Sequence, residues 1–591
     1  MVTEKVFKVL MVCSEIPPSF WSYKKAVEMM LGRRAAAMPP TGLATVAAML
    51  PASRFQVLPI IDLNVEPLTD AALAEADLVM LTAMIVQRYS LAACIARAKR
   101  AGKIVVVGGP FATSHPDEVL AMGADYLVLD EAEATLDFFV KDFLAGRAAR
   151  VYDERSVRGR QTVALTKEGK PPITATPIPR WDLVKLRRYA SLAIQFSRGC
   201  PFDCEFCDIV VLYGHESRAK TNRQFLAELD AILATGWRGP VFVLDDNLIG
   251  NAARVSELLP ELYRWQVEHG FPFSFFTEAS INLANTSLRK ILAEMVKAGF
   301  SEVFVGIEAI DPAALKEMNK KQNRGDLGEK VRVIQAAGLE VLGGFIVGND
   351  ADRPTVFDGL FEFIQENGIV MAMAGLLTAL RGTPLYRRLE AAGRLRGVSS
   401  GCNTHRLELN FEPVMDEATL IRGYVGLLER LYAPRNYYQR CRILRQRRGP
   451  HRRANRLNRA GLLAAARVFV HYLFVRPDWE FVKFMLGTLF TAPAELPEAV
   501  AQAVKFVHFE TLTEATVKAY RYPERVATLA ERFQTRVAGL RGDLERRQRQ
   551  LEKLKGRFLA KATREWQALG WEFRAGAKAV LENFQRRLEA I

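Results

Sequence analysis

Three cysteines crowd into a short stretch of this 591-residue chain, in the run Arg198-Gly199-Cys200-Pro201-Phe202-Asp203-Cys204-Glu205-Phe206-Cys207-Asp208. The spacing Cys-x3-Cys-x2-Cys places the thiolates of Cys200, Cys204 and Cys207 on one loop. A 4Fe–4S cluster usually takes four thiolates, so three leave one iron open. An open iron can chelate the amino and carboxylate groups of S-adenosylmethionine. Electron transfer to the sulfonium then breaks a C–S bond and makes a 5′-deoxyadenosyl radical. A zinc site is the alternative. Zinc prefers four ligands, and no fourth Cys or His lies at finger spacing. His215, in Leu212-Tyr213-Gly214-His215, falls past the loop. The spacing therefore points to an oxygen-sensitive cluster.

The elements that must position this loop alternate in type. Apolar runs at 192–196, 241–244, 273–276, 302–307, 340–346 and 370–376 read as buried strands, with helical patterns such as 223–233 and 288–298 between them. Six βα units make a partial barrel, with its site at the C-terminal ends of the strands. An earlier alternation has strand runs at 7–12, 55–61, 77–81, 104–107 and 126–129, and amphipathic helices at 43–50 and 91–101. It predicts a doubly wound, Rossmann-like α/β sheet that binds ligands where its strands end. Those ends are 13–18, 82–87 (opening on Thr82), 108–110 and 130–133, and Gly108 and Gly109 allow close backbone approach. A polar connector with Lys170-Pro171-Pro172 and Pro177-Ile178-Pro179 follows. After about Cys402 the strand pattern almost vanishes, and the chain reads as helical. The expected units are an α/β domain over 1–150, a linker over 151–187, the partial barrel over 188–400 and an all-helical region over 401–591.

A hydrophobic fraction of 49% is that of a globular chain. Seven cysteines (Cys13, Cys94, Cys200, Cys204, Cys207, Cys402, Cys441) make an odd set unlike a disulfide framework, which fits a reducing compartment. Residues 1–13 show no signal-peptide pattern, and no apolar run reaches the roughly 18 residues of a membrane span. The longest, 461–475, is broken by Arg467 and His471. We expect a cytoplasmic protein, with peripheral contact to the inner membrane face left open. The net charge of +15 suggests an anionic partner, unless it is a solvated face. Arg440, Arg442, Arg445, Arg447, Arg448, Arg452, Arg453, Arg456 and Arg459 crowd one segment without an acidic residue, and apolar stretches at 462–475 and 481–490 follow. A basic belt beside amphipathic helices is what an interfacial membrane protein uses. An ordinary helical domain with a solvated basic face reads the same way. An RNA-binding surface is a third reading, without a visible recognition module. Residues 540–559 are charged and suit a solvent-exposed or paired helix.

Over 192–386 these motifs resemble the radical S-adenosylmethionine superfamily. The resemblance implies that Phe206 lies near the adenine. Asp245-Asp246-Asn247 ends the second strand, where the family holds the methionyl amine, implicating Asp245 and Asn247. Glu278 follows the third strand, Glu308 ends the fourth, and Gly344 sits in the fifth, Gly343-Gly344-Phe345-Ile346-Val347-Gly348, which touches adenine in relatives. Gly382-Thr383-Pro384-Leu385-Tyr386 resembles the loop after the sixth. The N-terminal domain resembles a cobalamin-binding domain through Met38-Pro39-Pro40-Thr41-Gly42-Leu43, Gly108-Gly109-Pro110 and Asp130-Glu131-Ala132-Glu133, with Asp130 where glycine is usual. Thr82, Gly108, Gly109, Pro110 and Glu131 are thereby implied at the cobalamin. The Asp-x-His-x-x-Gly motif is absent and no histidine precedes His115, so no imidazole is expected on cobalt. The alternative is a Rossmann-like cap without cobalamin.

Cys204-Glu205-Phe206-Cys207-Asp208-Ile209, Leu212-Tyr213-Gly214 and Asp245-Asp246-Asn247-Leu248-Ile249-Gly250-Asn251 look like the group containing the hopanoid C-2 methylase, as do Phe411-Glu412-Pro413 and Tyr437-Tyr438. Phe275-Phe276-Thr277-Glu278-Ala279-Ser280 and the long C-terminal region depart from it. This resemblance implies methylation of an unactivated carbon of a hydrophobic, hopanoid-like or other lipid substrate. It also implies S-adenosylmethionine, cobalamin and a reductant such as flavodoxin or ferredoxin. The rivals are radical cyclisation or rearrangement, tetrapyrrole methylation, and RNA modification. The sequence specifies neither the substrate nor the carbon attacked.

Overall fold

The computed structural model describes residues 5–32, 35–159, 164–397, 399, 401, 407–449 and 459–591. Its first sheet comprises β1 (Phe7–Cys13), β2 (Phe55–Val57), β3 (Ile61–Asp62), β4 (Leu78–Thr82), β5 (Ile104–Gly108), β6 (Tyr126–Val128) and β7 (Val151–Tyr152). All pairs are parallel, in the order β2-β1-β4-β5-β6-β7, with β3 beside the end of β1. Both faces are covered, as a parallel sheet requires. Val9, Met11, Met80 and Val106 pack with Leu43 and Ala47 on one side, while Leu10, Val12, Val79 and Val105 pack with Leu91 and Ile95 on the other. Two expectations change. The run at 55–61 is two strands, because Pro59 lacks the N–H a continuous ladder needs. β7 also extends the sheet into the stretch expected to be linker.

The second sheet comprises β8 (Leu192–Ile194), then, beyond an antiparallel pair β9 (Ser197–Arg198) and β10 (Arg218–Ala219), the strands β11 (Gly239–Val243), β12 (Phe273–Glu278), β13 (Phe300–Glu308), β14 (Glu340–Val347) and β15 (Ala372–Leu376). The order β15-β14-β13-β12-β11-β8 is sequential and parallel, and β8 does not pair with β15, so the barrel stays open. The β9–β10 pair closes the base of the cysteine loop.

The C-terminal region is helical. Helix Pro434–Arg447 packs below the barrel, and the 43-residue helix Leu496–Ala538 joins it to a last bundle with Leu544–Gln567 and Trp571–Glu589. The charged stretch near 540–559 is thus a paired helix.

The arginine run is not a uniform basic belt. Arg440 is fully buried, donating to the Gln365 side chain at 2.9 Å and the Val370 carbonyl at 3.3 Å. Arg445 donates to Thr488 and Arg447 to the Glu366 carbonyl. Arg448 pairs with Glu340 and Glu498 at 3.2 and 3.4 Å. A buried guanidinium needs such partners, so these charges fasten the helix to the barrel instead of facing an external anion. Cys402, Arg452, Arg453 and Arg456 lie outside the described residues. Among the described residues no helix is long and apolar enough to cross a membrane.

Candidate active site

The cysteine loop is held at every side. Gly199 adopts φ +96°, and a Cβ there would sit 2.5 Å from the Glu216 carbonyl. Only glycine fits that close approach in a left-handed conformation. The Gly199 N–H donates to Asp246 at 2.8 Å, and the Cys200 N–H to the Gly214 carbonyl at 3.2 Å. The Glu205 N–H donates to Met318, and the Glu205 carboxylate receives a two-pronged Arg388 guanidinium at 2.6 and 3.0 Å. Arg388 also reaches Glu317 and Asp350.

The thiols share one electrostatic neighbourhood. Burial raises the Cys200 and Cys207 pKa values, the nearby Cys204 raises both further, and Lys320 opposes this. The Gln322 side-chain amide donates to the Cys204 sulfur at 3.4 Å. Lys320 lies 5.6 Å from the Phe206 ring centre and donates to Glu308 at 2.7 Å. Burial works against the lysine charge, but Glu308 and the cysteines outweigh it and raise its pKa. Among the described residues no three His, Cys, Asp or Glu side chains, the three loop cysteines included, converge as a metal site. The donor set is nevertheless that of a cluster: three thiols on one loop, with the Gln322 N–H directed at the Cys204 sulfur.

Acidic side chains from three strand ends face one another beyond the loop. Glu278 ends β12, and its carboxyl is pushed up to about 8 by burial, with Asp246 and Glu308 adding to the rise. Burial also lifts Asp246 to about 6. Glu308 adopts φ +63° at a bulge in β13, a conformation that costs a non-glycine residue about 1 kcal/mol. Two glycines make room for it. A Cβ on Gly306 would meet the Glu308 and Lys320 side chains, and one on Gly344 would meet Phe304 at 2.8 Å and Glu308 at 3.7 Å. Asn247 is buried; its oxygen accepts from the Ser280 N–H at 3.0 Å, and its Nδ2 has no partner. An orphaned buried donor beside carboxyls suits a polar ligand.

Asp245 points elsewhere. Its oxygens accept from the Phe196 and Ser197 N–H groups, both at 2.7 Å, and from the Ser197 hydroxyl at 2.6 Å. Burial pushes it up to about 7. It holds the strand corner that enters the cysteine loop.

On the barrel side of the acids, Phe242 and Phe276 stack at 4.7 Å, and Trp21, from the N-terminal segment, meets Phe304 at 4.8 Å. The period of two puts Phe276 on the Glu278 face. These rings are half-buried or exposed, whereas Val241, Phe275 and Val303 on the opposite faces are fully buried.

The N-terminal sheet meets this site across a cleft of about 300 Å³ lined by Thr41, Thr45, Asp130, Glu133, Arg198 and Asp246. Thr82 and Gly109 touch at the strand ends, where a Gly109 Cβ would lie 2.3 Å from the Thr82 hydroxyl, while Gly108 abuts the Val128 carbonyl. The close approach these glycines permit is therefore to the chain itself. Pro110 opens the short helix Pro110–Ser114. Glu131 is buried and pairs with Arg198 at 2.5 Å and Arg218 at 2.8 Å. Asp130 sits at φ +59°, keeping a glycine's conformation without being glycine; its carboxylate accepts from the Glu154 N–H at 2.9 Å. His115 is buried against Phe111.

Sequence reading missed Asp246 as distinct from its neighbours, and missed Arg198, Arg218, Lys320, Gln322 and Arg388. Arg198 alone carried a signal, its place beside Gly199-Cys200. The others reach the site from distant segments.

Family models match three stretches: a B12-binding domain over 28–140, the radical SAM superfamily over 194–354, and a domain of unknown function (DUF4070) over 383–521. An uncharacterized methyltransferase of Synechocystis sp. is 42% identical over 435 residues, 73% of this chain and 77% of that protein. The hopanoid C-2 methylase of Rhodopseudomonas palustris is 33% identical over 501 residues, 83% of this chain and 90% of that protein. A structure of the cobalamin-dependent S-adenosylmethionine radical enzyme OxsB, with aqua-cobalamin and S-adenosylmethionine bound, aligns with a TM-score of 0.54 at 13% identity. That alignment covers 94% of this chain and 84% of that one, a likeness of fold.

Proposed function

Since the chain belongs to the B12-binding radical S-adenosylmethionine methyltransferases, the family of the hopanoid C-2 methylase, we propose that it methylates an unactivated carbon of a hydrophobic substrate, a hopanoid-like or other lipid. Its cofactors are a 4Fe–4S cluster, S-adenosylmethionine and cobalamin. When bound, the first two supply a radical and the third a methyl group, while the protein supplies position and exclusion of water. A single-electron reductant of the flavodoxin or ferredoxin kind belongs to this reading, as does a peripheral station on the membrane that holds the lipid.

In this reading Cys200, Cys204 and Cys207 hold the cluster, with the Gln322 amide bonded to one sulfur. Asn247, Asp246, Glu278 and Glu308 receive the polar end of S-adenosylmethionine, and Phe206 and Gly344 its adenine. Asp245 acts as a positioning residue through Ser197. Thr82, Gly108, Gly109 and Pro110 form the sheet edge facing cobalamin, and Glu131 fastens that edge to Arg198 and Arg218.

The observation that carries a hydrophobic substrate is the set of incompletely buried rings, Trp21, Phe242, Phe276 and Phe304, beside the acids. Apolar walls with a few convergent polar groups are how proteins bind apolar ligands. The test is anaerobic reconstitution with hydroxocobalamin, S-adenosylmethionine, reductant and fractionated cell extract. A methyl-group mass gain in the neutral lipid fraction is expected. A gain confined to pigment or RNA fractions would overturn the substrate class.

A further inference from the structure

An ordinary surface helix turns its apolar stripe inward and its polar face to water. Helices Arg459–Val470 and Trp479–Thr491, joined through the π-turn His471–Val475, do not. Their inner sides bury Val468, Tyr472, Phe481, Phe484 and Met485. Their outer sides are apolar as well: Phe474 is 77% exposed, Trp479 76% and Phe490 80%, with Leu463, Val475 and Leu486 also open. Close to half of the exposed large hydrophobic side chains among the described residues fall between Leu462 and Phe490. Scattered exposed apolar residues need no explanation, but a concentrated patch marks an interaction surface.

We propose that this face docks the protein peripherally on an anionic lipid bilayer. Among the described residues nothing covers these outer side chains. Charge favours anionic headgroups: the chain carries +15, and residues 459–491 hold four basic against two acidic side chains, with Lys483 64% exposed though paired with Glu480 at 2.9 Å. Phe and Leu with Trp and Lys at the margins is the composition of an interfacial helix. The face is also coupled to the site. The Arg467 guanidinium donates to the Met29 and Met30 carbonyls at 3.1 and 2.8 Å, in the segment that carries Trp21 to Phe304. With Arg440, Arg445, Arg447 and Arg448 spent internally, the apolar residues carry most of the attachment.

This inference rests on the lipid reading only for its purpose, so its test uses phospholipid without substrate. The cofactor-loaded protein should float with phosphatidylglycerol–phosphatidylethanolamine vesicles, less with phosphatidylcholine, and should stay largely bound in high salt. Replacing Phe474, Trp479 and Phe490 together with Ser should cut binding by about ten-fold or more, leaving the circular dichroism spectrum and uncoupled S-adenosylmethionine cleavage unchanged. If that variant misfolds, fluorescence decides. The difference between wild type and Trp479→Phe should shift to the blue on vesicle addition. Absent flotation, an unaffected triple variant that is folded, equal binding to phosphatidylcholine, or an unshifted Trp479 signal would overturn the proposal. So would a dimer that the triple variant splits without any vesicle binding. Flotation on phospholipid together with no methyl gain in the neutral lipid fraction of the extract assay would refute the proposed substrate and leave this surface standing.

Discussion

Glu131, at the C-terminal edge of the first sheet, meets Arg198, in β9 two residues before Cys200, at 2.5 Å. The contact ties the two cofactor-type domains at the base of the cysteine loop. Arg218, paired in register with Arg198 across β9 and β10, grips the same carboxylate.

Removing one partner of a buried ion pair leaves the others charged and unsolvated, at a cost of about 3–5 kcal/mol. Glu131→Gln should therefore lower the stability of the protein by about 3 kcal/mol in urea unfolding. Glu133→Gln should cost less, because Glu133 meets one guanidinium, Arg198 at 3.4 Å, and the Thr176 hydroxyl at 2.5 Å, whereas Glu131 meets two guanidiniums. Equal losses in the two variants would contradict this ranking.

Asp130 pays for a left-handed backbone and recovers part of that through the Glu154 N–H. Asp130→Gly trades the strain for the lost hydrogen bond, each about 1 kcal/mol, and should stay within about 1 kcal/mol of wild type. Asp130→Val keeps the strain, loses the bond and should be worse by about 2 kcal/mol. Thermal melts of the three proteins give the comparison.

Glu278 is held protonated in the folded apo-protein up to about pH 8 by burial and by Asp246 and Glu308. Unfolding frees it to ionise near the ordinary glutamate value. The folded state thus binds the extra proton, and stability contributed by this group falls as pH rises from about 4 toward about 8. Glu278→Gln should flatten that decline and raise the melting temperature at pH 8. A variant whose melting curve tracks the wild type across this range would refute the assignment.

Changing Cys204 to Ala should abolish stoichiometric iron binding and 5′-deoxyadenosine formation. Gln322→Leu should keep the iron but lose the N–H donated to sulfur. Such donors stabilise the reduced, more negative cluster, so the reduction potential should fall. A potentiometric titration followed by electron paramagnetic resonance reads the shift, and an unchanged potential would remove Gln322 from the cluster's surroundings.

The sequence by itself determined the two parallel sheets, because their strands are apolar on both faces and recur between amphipathic helices. It also determined the cysteine loop, since local spacing alone puts three thiols on one turn. Tertiary structure decided what faces them. Asp245 and Asp246 are adjacent in sequence, yet Asp245 faces the strand corner at Phe196 and Ser197 while Asp246 turns to the Gly199 N–H and lines the cleft, because successive side chains at a strand end point opposite ways. Lys320, Gln322 and Arg388 reach the loop from segments more than a hundred residues away. The arginine run shows the same limit in reverse. Charge is legible in a sequence, but whether a guanidinium meets water, a bilayer or a buried Glu340 depends on what the fold packs against it.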